Sequence, residues 1–155
     1  RDWSSDVCSS VLGGFAGSGN LQAVLMGGAA GGFLSPEELD TPLTFEGLRA
    51  AKSALGSGVV MVFDDAVNLR EILARIARFF RDESCGQCVP CRVGTVRQEE
   101  LLARLAREAP HGSVDQELAL LAELGQVMRD ASICGLGHTA SSAVESALAR
   151  WRVFS

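Results

Sequence analysis

The sequence predicts an α+β protein with a small strand-containing first part and an all-helical second part. Short apolar runs bounded by glycines dominate up to Asp64–Asp65, as is typical of strands joined by tight turns. Beyond that point, apolar residues recur at three- and four-residue steps, which is the period of an amphipathic helix. The connections between the helical segments are short, and this favours an up-and-down helical bundle.

The first part is predicted to contain two strands and one helix. Its apolar runs are LQAVLM (Leu21–Met26) and GVVMVFDD (Gly58–Asp65), and both are rich in β-favouring residues. Between them, an apolar stripe predicts a short helix that ends before Gly56. The stripe consists of Phe45, Leu48, Ala51, Ala54 and Leu55. This order indicates a small unit of the β-grasp kind, and an incomplete one, because two strands rarely hold a sheet alone.

The second part is predicted to contain four amphipathic helices. The first has an apolar stripe of Leu69, Ile72, Leu73, Ile76 and Phe80; the second, of Val93, Val96, Leu101, Leu102 and Leu105; the third, of Leu118, Leu121, Leu124 and Met128; the fourth, of Ala143, Val144, Ala147, Leu148 and Trp151. The segment APHGS ends the second helix. An all-α bundle is therefore expected from residue 67 onward.

Composition and charge exclude several classes of function. The net charge of −5 gives no electrostatic reason to expect a nucleic acid partner. No apolar stretch approaches the ~20 residues of a membrane span, so direct membrane insertion is not expected. The beginning of the sequence has no recognisable signal peptide. The five cysteines do not resemble a secreted disulfide framework, which predicts a reducing, cytoplasmic compartment and metal as the role of the thiols.

The cysteines carry the most specific pattern in the chain. Cys85, Cys88 and Cys91 follow a C-x2-C-x2-C spacing, and Cys134 lies in ASICGLGHTASS some forty residues later. One tight turn can direct three such sulfurs into a common space, and a fourth thiolate from afar completes the ligand set of a [4Fe–4S] cluster. The spacing therefore predicts an iron–sulfur site.

The residues between these cysteines suit the same role. Gly86 permits a sharp bend of the backbone, and Pro90 fits the first turn of the helix that follows. The N-terminal end of that helix, together with Arg92, would stabilise a negatively charged cluster. Gly135 and Gly137 leave room for backbone N–H groups beside Cys134.

Zinc is the alternative, with the triplet plus Cys134 or His138 as ligands, although overlapping triplets are unusual for zinc. A thioredoxin-like C-x-x-C would leave two of the four cysteines unexplained. His138 is interpreted as a polar loop residue rather than a ligand, and Cys8 has no partner and no role.

The segments GGFAGSGN and MGGAAGGF lack the G-x-G-x-x-G and G-K-[ST] patterns of nucleotide-binding loops, so they are interpreted as turns.

ESCGQCVPCRVG and SICGLGHTA together resemble the C-terminal region of the NADH-binding flavoprotein subunit of respiratory complex I. The same region occurs in the diaphorase subunit of NAD-reducing hydrogenases and in the beta subunit of NAD-dependent formate dehydrogenases. LQAVLMGGAAGGFL and the sequence up to FDD resemble that family's soluble ligand-binding β-grasp module.

The resemblance implies that Cys85, Cys88, Cys91 and Cys134 bind a [4Fe–4S] cluster. In the full-length parent, an NADH:acceptor oxidoreductase, electrons would arrive from FMN after NADH has reduced it. They would leave toward partner subunits, namely a thioredoxin-like [2Fe–2S] subunit and a large iron–sulfur subunit. The alternative is a zinc-stabilised helical interaction domain without redox activity.

The resemblance also implies a domain organisation. Residues 1–10 match nothing in the family and are expected to be a non-native leader. Residues 11–66 correspond to part of the β-grasp module, and residues 67–155 to the helical [4Fe–4S]-binding domain. The family's FMN- and NADH-binding domain has no counterpart here, so the chain is expected to be a fragment that does not oxidise NADH alone.

Overall fold

The structure, a computed structural model, describes residues 19–154. The expected leader, Cys8 and most of the segment GGFAGSGN lie outside the described residues. The chain divides into two units with the boundary between Asn68 and Leu69.

The described part of the first unit contains a three-stranded antiparallel sheet. Its strands are β1 (Leu21–Met26), β2 (Gly32–Leu34) and β3 (Val60–Asp64), in the order β2-β1-β3. The predicted strands β1 and β3 are confirmed, but the expectation of only two strands is wrong. Strand β2 was not predicted because its three residues follow a run of glycines that resembles a turn.

The glycine-rich segment after β1 was predicted to be a turn, but it forms a 3-10 helix (Gly28–Ala30) that leads directly into β2. Gly27 and Gly28 have φ values of 80° and 69°, in the left-handed region that favours glycine. A Cβ on Gly27 would lie 2.6 Å from the backbone oxygen of Ala54. Both the left-handed conformation and the close backbone approach therefore require glycine.

Helix α1 (Phe45–Ala50) is shorter than predicted. Thr44 caps its start, with Oγ1 accepting a hydrogen bond of 3.0 Å from the Gly47 N–H. The chain leaves the helix before Lys52, whose φ is 51°. Leu48 joins the small core under the sheet, but Phe45 is 73% exposed, so its assignment to the apolar stripe is wrong.

Residues 69–154 form five helices, one more than predicted: α2 (Leu69–Glu83), α3 (Val89–Ala106), α4 (Val114–Ala131), α5 (Gly135–Thr139) and α6 (Ser142–Arg150). Helix α3 packs against α2, α4 and α5, and α6 packs against α2. The additional helix, α5, has the sequence GLGHT, whose two glycines make it resemble a loop. Its contacts with α3 and α4 decide where Cys134 lies.

The buried face of helix α3 changes in composition along the helix. Its second half buries leucines, as predicted, but near the cysteines the buried residues are small or polar: Cys91, Gly94, Thr95 and Gln98. Val93, expected in the stripe, is 44% exposed. A Cβ on Gly94 would lie 2.5 Å from Cγ of Met128, so a small residue allows α3 and α4 to approach closely.

An ion pair between Arg104 and Glu117 joins the end of α3 to the start of α4. The Arg104 guanidinium lies 2.9 Å from the Glu117 carboxylate, which also accepts a hydrogen bond from the His111 N–H at 3.1 Å. Burial raises the pKa of Glu117, but the hydrogen bonds from Arg104 and His111 outweigh it, and the net shift is downward.

Candidate metal centre

The triplet of cysteines spans the junction of α2 and α3. Cys85 and Cys88 lie in the triplet loop (residues 84–88), with Cys88 as the N-cap of α3, and Cys91 lies in the first turn of that helix. Gly86 has a φ of 74°, which confirms the predicted sharp bend. Pro90 lies in the first helical positions, where its missing N–H costs no hydrogen bond.

Cys134 lies between α4 and α5. It is the N-cap of α5 and follows directly after Ser132 and Ile133. A Cβ on Gly137 would lie 2.3 Å from Oγ of Ser132 and 3.1 Å from Cβ of Cys91. The turn that carries Cys134 (residues 132–134) therefore packs closely on the start of α3, through a glycine that no larger residue can replace without displacement.

The four thiols differ in their access to solvent. Cys91 is 4% exposed, Cys88 is half-buried, and Cys85 and Cys134 are exposed. Cys91 is thus packed within the helical unit, whereas Cys85 and Cys134 lie at its surface. A group held by all four would have one protected side and one accessible side.

Backbone N–H groups are directed at the Cys88 sulfur. Those of Ile133 and, next, Cys91 lower the pKa of the Cys88 thiol. One comes from the Cys134 turn and the other from the first turn of α3, so both loops favour the thiolate that a metal requires.

Burial has the opposite effect on Cys91 and raises the pKa of its thiol. The hydroxyl of Ser84, 3.4 Å from Sγ, opposes this shift. Negative charge on the other three sulfurs raises the pKa further. Four thiolates gathered in this way repel one another, and a cationic iron core between them would relieve the repulsion.

These observations fit an iron–sulfur cluster. The donor set consists of four thiolates, glycine contacts bring the two loops together, and one buried hydroxyl, that of Ser132, has no hydrogen-bond partner. In residues 19–154, no three cysteine, histidine or acidic side chains surround a single point as one metal ion requires. A four-iron cluster does not require this, because each thiolate binds a different iron.

Two neighbouring side chains complete the surroundings. Arg92 donates a hydrogen bond of 3.2 Å to the Gly86 carbonyl, which holds its guanidinium across the triplet loop. Nε2 of His138 lies 2.7 Å from the Ser132 carbonyl. Because a carbonyl only accepts, this nitrogen carries its hydrogen there and is not presented as a ligand. His138 lies in α5, so its interpretation as a loop residue is wrong.

Two buried polar residues near the site were not predicted from the sequence. Gln98 donates a hydrogen bond of 2.8 Å to the Ala140 carbonyl and so ties α3 to the end of α5. Ser132 stands two residues before Cys134 and is 9% exposed. Its closeness to the motif was the only signal in the sequence, since its burial depends on how α5 packs.

Similarity to known proteins agrees with this geometry. The sequence profile of the family described as the NADH-ubiquinone oxidoreductase-F iron-sulfur binding region matches residues 71–153, which include all four cysteines. The chain belongs to this family. Its members are iron–sulfur subunits of NADH dehydrogenase-type oxidoreductases, and the domain indicates a [4Fe–4S] cluster. The resemblance seen in the sequence is thus confirmed.

Proteins similar to this chain include a hydrogenase subunit and a subunit of NADH-ubiquinone oxidoreductase. The NADP-reducing hydrogenase subunit HndC of Solidesulfovibrio fructosivorans is 33% identical over 92% of this chain. The mitochondrial NADH-ubiquinone oxidoreductase 51 kDa subunit of Neurospora crassa is 32% identical over 94%. The chain covers 29% and 28% of these relatives, respectively.

A solved structure extends the family likeness to the fold. The crystal structure of an NAD+-reducing [NiFe]-hydrogenase in the H2-reduced state matches with a TM-score of 0.82 and 34% identity. The match covers 97% of this chain and 25% of that one.

Among residues 19–154, no helix is both long enough and apolar enough to cross a membrane.

Proposed function

We propose that Cys85, Cys88, Cys91 and Cys134 together hold one [4Fe–4S] cluster, and that the second unit is an electron-transfer module. The observation that carries this proposal is the close packing of the Cys134 turn on the start of α3, with Gly137 against Cys91. Such a cluster accepts and donates single electrons.

The chain's own residues have distinct roles in this proposal. Cys91 anchors the buried side, and the N–H groups of Ile133 and Cys91 stabilise the Cys88 thiolate. The N-terminal end of α3, which has 18 residues, favours the negative charge of the four thiolates. Cys85 and Cys134 leave the outward side accessible, so electrons would enter or leave there.

The wider role of the parent protein is also proposed. Electrons would come from FMN reduced by NADH, both bound by a part of the parent that has no counterpart in residues 19–154. They would pass to a thioredoxin-like [2Fe–2S] subunit and a large iron–sulfur subunit in the cytoplasm. Membership of the family and the names of the hydrogenase and NADH-ubiquinone oxidoreductase relatives support a role in a multi-subunit, nicotinamide-linked oxidoreductase.

We also propose a domain organisation. Residues 11–66 would be part of a β-grasp module, and residues 67–155 a helical bundle built around the cluster. The order of strands and α1, and the boundary after Asn68, support this division.

Single cysteine substitutions test the ligand set. Cys91→Ala and Cys134→Ala are expected to lose the cluster or convert it, because each removes one thiolate. Cys8→Ala serves as the control and is expected to leave iron and sulfide content unchanged. Full retention of iron and sulfide by Cys134→Ala would remove Cys134 from the ligand set.

A further inference from the structure

Ser132 is a buried polar residue that the packing of the helices does not explain. It is the C-cap of α4 and is 9% exposed. Its N–H bonds to the Met128 carbonyl and its own carbonyl accepts from His138, so its backbone is satisfied. Its hydroxyl, in contrast, has no hydrogen-bond partner. A buried hydroxyl without a partner is costly, which suggests that it serves a bound group.

The surroundings of this hydroxyl are the ligand residues themselves. Oγ of Ser132 and Cβ of Cys91 both border the space where a Cβ of Gly137 would lie, at 2.3 Å and 3.1 Å. The hydroxyl is therefore buried beside the cysteine ligands, next to Cys91 and without a protein partner.

We propose that Ser132 is a positioning residue whose hydroxyl donates a hydrogen bond to a cysteine sulfur of the loaded site and thereby raises the reduction potential. This inference rests on the proposed function. Hydrogen bonds to the sulfurs are one of the factors that set cluster potentials. A donated hydrogen bond favours the more negative, reduced state and so shifts the potential upward. No proton is transferred in this step.

Ser146 offers a matched control. It is also a buried serine of the second unit, at 6% exposure, and its hydroxyl donates to the Ala143 carbonyl at 2.8 Å within α6. Ser146→Ala thus removes a buried hydroxyl that is not directed at the cysteines.

The experiment is a potentiometric titration of the full chain, loaded with iron and sulfide under argon and followed by electron paramagnetic resonance. Ser132→Ala is expected to lower the midpoint potential. At a fixed solution potential its ratio of oxidised to reduced cluster should rise roughly tenfold, which corresponds to about 59 mV for one electron. Ser146→Ala should match the wild type.

A second measurement identifies the hydrogen bond. In the reduced wild type, electron–nuclear double resonance should detect a strongly coupled exchangeable proton that is lost in Ser132→Ala and kept in Ser146→Ala. If Ser132→Ala loads poorly, Ser132→Gly, which removes the same hydroxyl, takes its place.

The outcomes separate the two claims. A wild type that holds no cluster would contradict the proposed function. A loaded Ser132→Ala or Ser132→Gly variant with the wild-type potential and the same exchangeable protons would overturn only the role of Ser132.

Discussion

Replacing Gly137 by alanine tests how tightly the two cysteine loops are packed. The added Cβ would lie 2.3 Å from Oγ and 2.4 Å from Cβ of Ser132, and 3.1 Å from Cβ of Cys91. Such short separations from Ser132 require neighbouring atoms to shift. The shift would separate the Cys134 turn from the start of α3, so the variant should lose stability and bind iron less well.

The magnitude follows from two opposing effects. Overpacking of a close-packed site costs about 1–3 kcal/mol, whereas replacing glycine by alanine within a helix gains at most about 1 kcal/mol. The net expectation is a loss of about 1–2 kcal/mol. Gly135→Ala is the matched control, because Gly135 belongs to the same helix, stands next to Cys134, and a Cβ there meets nothing within 4 Å. It should be neutral or slightly stabilising.

The measurement is urea denaturation of the metal-loaded chain under argon, with iron content determined on the same samples. Gly137→Ala should unfold at a lower urea concentration than Gly135→Ala and retain less iron. Equal midpoints and equal iron content for the two variants would refute the close packing of the loops.

Two further predictions concern the Arg104–Glu117 ion pair and the response of the triplet loop to metal removal. Glu117→Gln should lower the free energy of unfolding by about 1.5 kcal/mol at pH 7, since Arg104, which is 22% exposed, loses its charged partner. Burial raises the pKa of Glu117 but Arg104 and His111 lower it more. The stabilisation by this ion pair is therefore fully present above the pKa that the Glu117 carboxyl has in the unfolded chain. It is lost as the pH falls through the lower pKa of the same carboxyl in the folded chain, so denaturation curves of wild type and variant should converge in acid. Chelation of the metal should increase hydrogen exchange first in residues 84–92, with far-ultraviolet circular dichroism nearly unchanged; an exchange pattern unaffected there would argue against a cluster that ties the loops.

The long elements could be predicted from the sequence because their periodicity is strong. Strand β1 and the amphipathic stripe of α2 correspond closely to the structure, since Leu73 and Phe80 are buried as the helical period requires. Strand β2 and helix α5 were missed. Both are short and glycine-rich, and they form because neighbouring elements pack on them, which local preference does not encode.

The cysteine spacing predicts the candidate site, and the bend at Gly86 and the position of Pro90 could also be predicted, but the buried polar residues around the site could not. Three cysteines at intervals of three predict a common site in any fold. The roles of Gln98 and Ser132 depend on how α3, α4 and α5 pack together, so their only sign in the sequence was the closeness of Ser132 to the fourth cysteine. Val93 has the correct helical spacing but faces solvent, because small residues form the packed face of α3 beside the cysteines.

Whether the four cysteines hold a four-iron cluster is decided by metal and sulfide analysis of the chain purified without oxygen. We expect about four iron and four acid-labile sulfide per chain, a brown protein with broad visible absorbance, and bleaching by dithionite. Zinc in place of iron, with no labile sulfide and a colourless protein, would contradict the assignment.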